Sequence, residues 1–159
     1  MAAAEPDYVE FSAGETSAVL PVMAEMAESH RGWINFEPAV HVEDVPPPRS
    51  GLFSLFSTRG PDVPLATWSP GEARKNRPEP AMVGILHPAG PQAKVKLADR
   101  GRPVPDGWVV MQDHSKKGLV VAVPPTVPHA EVVEWLLRAT TALSLIPVTG
   151  TWRAAIHPG

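Results

Sequence analysis

Hydrophobic and polar positions change period along this chain, and the changes mark out its elements. The clearest pattern lies in the last third. Val132, Leu136, Ala139, Leu143 and Ile146 recur at helical spacing, widened by Val133 and Leu137, while Glu134 and Arg138 mark the opposite, wet face. The spacing predicts a long helix with Thr126 as N-cap, Pro128 tolerated in its first turn and Pro147 as its stop. Just before it, residues 108–114 and 119–123 flank a Ser115-Lys116-Lys117-Gly118 turn and read as a β-hairpin. After it, Gly150 lets residues 151–156 return as a closing strand.

The earlier pattern is weaker and more often broken by proline. Val19, Leu20, Met23, Met26 and Ala27 predict a helix over 17–30, and residues 33–36 a short strand ended before Pro38. Residues 52–57 and 63–68 flank a Gly60-Pro61-Asp62 turn and read as a hairpin, with Pro64 placing its strand at an edge because proline gives the ladder no donor. Residues 81–87 form a continuous apolar run suited to a central strand buried on both faces, and 94–97 alternate like a strand exposed on one face. Residues 41–50 and 69–80 are expected to be exposed proline-rich loops, 101–107 a turn-rich connector, and 1–12 a flexible start to one domain spanning 1–159. Together these elements predict an α+β fold. Its sheet is mostly antiparallel and curved, with about six or seven strands, an N-terminal helix and a long C-terminal helix packed on one face.

Composition narrows the chemistry. With no cysteine there is no disulfide framework, thiolate metal site or cysteine nucleophile. Lys and Arg number 14 against 17 Asp and Glu, so no net positive field attracts nucleic acid. The first residues lack a basic stretch followed by an apolar core, so a secretory signal is not expected, and no apolar run of membrane-spanning length occurs. A cytoplasmic location and no membrane partner are the corresponding expectations. Twenty prolines among 43% hydrophobic residues punctuate short elements rather than indicate disorder.

Candidate chemistry is sparse. Asp113, His114, Ser115, Lys116 and Lys117 place an acid, a base, a hydroxyl and two cations at one hairpin, but adjacent strand residues point to opposite faces, so Asp113 cannot orient His114. A polar turn kept soluble by lysines explains them without catalysis. His41, Glu43 and Asp44, meeting His87 and His114, would offer two histidines and a carboxylate to a metal, yet their spacing fits no helix-borne or loop motif, and no metal or cofactor is assigned. The stretch around Gly84 and Gly90 contains no phosphate-binding glycine pattern. Of the five tryptophans, Trp33, Trp68, Trp108 and Trp152 fall near strand ends, where an indole packs its body and bonds its edge. Trp135 sits between the two faces of the last helix, as a packing residue or as an exposed interface anchor.

The leading expectation is a non-enzymatic protein-interaction or self-assembly module, with a protein partner or a second copy bound through a sheet edge or proline-rich loop. The apolar strand 119–123 carries no charge and must be covered, by the last helix, by 151–156 or by a second chain. The alternative is a small-ligand-binding protein or enzyme with a pocket between sheet and C-terminal helix, using His87, Asp113 and His114. No catalytic residue is assigned; His87, Asp113, His114, Lys116 and Trp135 are the binding candidates.

Overall fold

The computed structural model describes residues 4–47, 60–74 and 77–159. In chain order the elements are β1 (Asp7–Ser12), α1 (Leu20–Ser29), β2 (Trp33–Pro38), a short 3-10 turn (Val42–Asp44), β3 (Leu65–Ser69), β4 (Ala73–Arg74), β5 (Arg77–Pro78), β6 (Ala81–Leu86), α2 (Ala93–Asp99), β7 (Val109–His114), β8 (Gly118–Val123), α3 (His129–Leu143) and β9 (Thr151–His157). Seven strands make one sheet in the order β1-β9-β2-β3-β6-β8-β7, with every neighbouring pair antiparallel. The protein is thus α+β, with an open, curved sheet.

Register explains which face is covered. Phe11 lies opposite Trp152, Ile34 opposite Trp68, Trp68 opposite Val83, and Val83 opposite Val121, so the buried residues of successive strands line up on one side. Against that side α1 presents Met23 and Met26, α2 presents Ala93 and Leu97, and α3 presents Val132, Val133, Leu136, Ala139 and Leu143, and all join one hydrophobic cluster. The α3 stripe expected from the sequence is the stripe buried. On the other side Tyr8, Trp33, Leu86 and Val109 stay exposed.

Several expectations change. β3 is interior, between β2 and β6, although Pro64 pointed to an edge; Pro64 falls one residue before the strand and so removes no ladder donor. The other arm of that expected hairpin, 52–57, lies outside the described residues. Residues 94–97 are helix, not strand: Ala93 and Leu97, four apart, bury one face while Val95 is 54% exposed, and four alternating residues fit either period. β6 is central as expected but covered on one face only, with Val83 and Ile85 buried and Leu86 exposed. Thr126 does not cap α3, which begins after Pro128 and ends at Leu143, short of Ile146. The expected loop at 69–80 carries the two-residue ribbon β4–β5, and within the stretch 1–12 expected to be flexible, Asp7–Ser12 form β1, held by its pairing with β9.

The coverage of 119–123 is resolved within the sheet. β8 is flanked by β6 and β7, so its ladder is satisfied on both sides, while β2, β3 and β6 separate it from β9. A second chain is not needed to cover it.

Candidate functional site

The polar residues singled out by sequence hold the fold together. Asp113 accepts hydrogen bonds from the backbone N–H groups of Ala93 and Lys94, both at 3.0 Å. Its carboxylate therefore caps α2 from β7, replacing Gln92, whose side chain makes no cap bond. His114 Nδ1 accepts from the backbone N–H groups of Lys116 and Lys117, each at 3.0 Å, and so closes the hairpin turn; the Lys116 side chain itself is exposed. His87 is fully buried at the end of β6, where its Nδ1 accepts from Ala89 N–H at 3.2 Å and its Nε2 has no partner among the described residues. Burial lowers the His87 pKa, opposed by the charge of Asp113 and helped by that of Lys96. Trp135 donates its indole N–H to the Pro103 carbonyl at 2.9 Å and packs edge-on against Trp108, which makes it a buried packing residue rather than an exposed anchor.

These residues do not assemble a reactive set. No three His, Asp or Glu side chains come together among the described residues, so His41, Glu43 and Asp44 do not meet His87 and His114. Asp113 and His114 alternate across β7, as strand geometry requires.

A concave site lies between α3 and the start of β9, a groove of about 640 Å³. Its α3 wall is Glu134, Leu137, Arg138 and Thr141, an i, i+3, i+4, i+7 row. A second wall comes from the end of α2. Gly101 there has φ 73°, and Gly101 N–H and Arg102 N–H bond back to the Ala98 and Leu97 carbonyls, a Schellman turn that sends Arg100 and Arg102 to either side of the glycine. Arg100 is tied to α3 through a guanidinium bond to the Ala142 carbonyl. Trp152 and Val148 contribute the floor, with Ala13 and Gly14 at the lip; the bond from Ala13 N–H to the Gly150 carbonyl at 2.9 Å fixes that side.

Electrostatically the groove reverses the sign of the whole chain. Three arginines face one glutamate in a protein of net charge −3. Arg138 pairs with Glu134 at 2.9 Å, but both side chains are more than half exposed, so the pair contributes only ~0.3–0.5 kcal/mol. Among the described residues, Arg102 bonds the neighbouring Gly101 carbonyl. A guanidinium carries a fork of donors suited to a carboxylate.

Sequence reasoning marked Arg138 and Glu134 as surface and passed over Arg100, just before the 101–107 connector, and Arg102 inside it. The available signal was the Arg100-Gly101-Arg102 triplet itself. No family model, curated protein or solved structure matches this chain. No helix among the described residues is long and apolar enough to cross a membrane.

Proposed function

We propose that this protein is a non-enzymatic interaction module that holds an acidic, partly apolar peptide segment of a protein partner in the groove between α3 and β9. The observation that carries this reading is the convergence of Arg100, Arg102 and Arg138 over a floor of Trp152 and Val148. Carboxylates would take the arginine forks, and an intervening apolar side chain would cover the floor. The binding role is favoured over catalysis because the acid and base groups near β6 and β7 are spent on backbone donors.

Fluorescence anisotropy with a labelled peptide of alternating Glu and Leu, beside one with Gln replacing Glu, tests it. The acidic peptide should bind and the neutral one should not, and the affinity should fall at least tenfold in the double variant Arg102→Ala, Arg138→Ala. Equal binding of both peptides, no binding of either, or an unaffected double variant would overturn the reading.

A further inference from the structure

Val42 is 85% exposed, the most of any large apolar side chain among the described residues. It opens the 3-10 turn Val42–Asp44, which is closed by bonds from Asp44 N–H to the His41 carbonyl at 3.0 Å and from Val45 N–H to the Val42 carbonyl at 3.2 Å. Such a turn repeats every three residues, so Val42 and the exposed Val45 fall on one side, with Glu43 and Asp44 between them in sequence. The chain thus displays a preformed knob that carries two carboxylates beside two apolar side chains.

The place of this knob matters as much as its composition. Ala39, three residues before Val42, donates its N–H to the Thr151 carbonyl at 2.8 Å and accepts at its own carbonyl from Thr149 N–H at 3.0 Å. Thr149 and Gly150 line the arginine groove, and three residues of chain reach no further than ~10 Å. Knob and groove are therefore neighbours, yet none of residues 41–45 lines the groove of its own chain. A surface that carries both halves of a contact is self-complementary under a two-fold axis, because each copy gives its knob and receives the other's.

We infer that the groove's partner is a second copy of this chain, whose turn Val42–Val45 enters the groove while its own groove receives the same turn in return. The inference rests on the groove reading above and names its occupant. Glu43 and Asp44 meet Arg102 and Arg138, and Val42 covers the floor of Trp152 and Val148. Charge favours the match, since three arginines against one glutamate receive two carboxylates. The turn is ordered before binding, so little conformational freedom is lost. Both contacts form in one event, which makes a pair tighter than either contact alone.

The test is a charge swap followed by analytical ultracentrifugation of the full chain. The wild type should sediment as a concentration-dependent pair. The variant Glu43→Lys, Asp44→Lys and the variant Arg102→Glu, Arg138→Glu should each run as single copies, while their equimolar mixture should pair again, because both contacts then join opposite charges. Val42→Ser, at an exposed position that leaves the fold alone, should weaken pairing about tenfold. A wild type that stays single, species that grow beyond two copies, charge variants that still pair alone, or a mixture that does not pair would overturn the inference. The alternating Glu and Leu peptide separates the two readings, since Glu43→Lys, Asp44→Lys leaves the groove intact and open. If that variant binds the peptide but the wild type stays single, the second copy is excluded and the groove reading stands. If it binds no peptide, the groove reading falls and this inference falls with it.

Discussion

The two ends of α3 use the same scaffold for opposite electrostatic purposes. Toward its carboxyl end, Arg138 stands in water beside Arg100 and Arg102, and the groove is wide, open and positively charged. Toward its amino end, His129 turns against Trp68, and the cavity there is smaller, about 190 Å³, with apolar side chains beside Glu79 and His30 in its lining. The difference comes from solvation. Charges left in water keep their hydration and donors for an arriving anion, whereas a group drawn into an apolar corner loses its charge or needs an internal partner. The groove should therefore select by charge and respond to salt.

The largest expected effect is on the shared scaffold. Leu136 is fully buried midway along α3, so Leu136→Ala should cost about 2–5 kcal/mol in urea unfolding and weaken binding of the acidic peptide. A smaller effect should single out the groove. Trp135→Phe removes the bond to the Pro103 carbonyl, next to Arg102, at about 0.5–1.5 kcal/mol, and should weaken binding of the acidic peptide.

Acid should separate the ends again. His129 and His87 have pKa values lowered from 6.5, chiefly by burial, so their neutral forms favour the folded state. Their contribution is complete above pH 6.5 and is lost as pH falls through 6.5 toward the folded-state values, because the unfolded chain takes up protons first. Unfolding free energy measured between pH 7.5 and 5 should decline, and His87→Leu should flatten part of that decline. Peptide affinity should hold over the same range, because the arginines do not titrate and the peptide's carboxylates remain mostly ionised. The smallest effect concerns stability: Arg138→Ala should change the unfolding free energy by no more than about 0.5 kcal/mol, since its ion pair is exposed. A larger loss would make Arg138 a structural residue and remove it from the groove's binding donors.

What the chain made legible was local and periodic. The β7–β8 hairpin, β9 and the α3 stripe from Val132 to Leu143 follow from spacings that hold over five or more residues, and the exposed Glu134–Arg138 pair from its four-residue separation. Short segments were ambiguous for a physical reason. Residues 94–97 alternate over only four positions, and it is Asp113, 20 residues away from Ala93, that supplies the cap for a helix there. The same long-range bond explains why Asp113, which looked chemical in sequence, serves the fold, while His87 and His114 accept from backbone donors two or three residues away.

Sequence by itself determined which faces would be apolar, because a side chain's period is set by the backbone geometry of its own element. Tertiary structure decided what those faces meet: β8 between β6 and β7, β3 in the sheet interior, and Arg100 and Arg102 beside Arg138. It also decided that Trp135 would find a carbonyl and that Trp68 would find no partner among the described residues. Both indoles have the same local chemistry, and only the arrangement of distant backbone around them separates a satisfied donor from an unmet one.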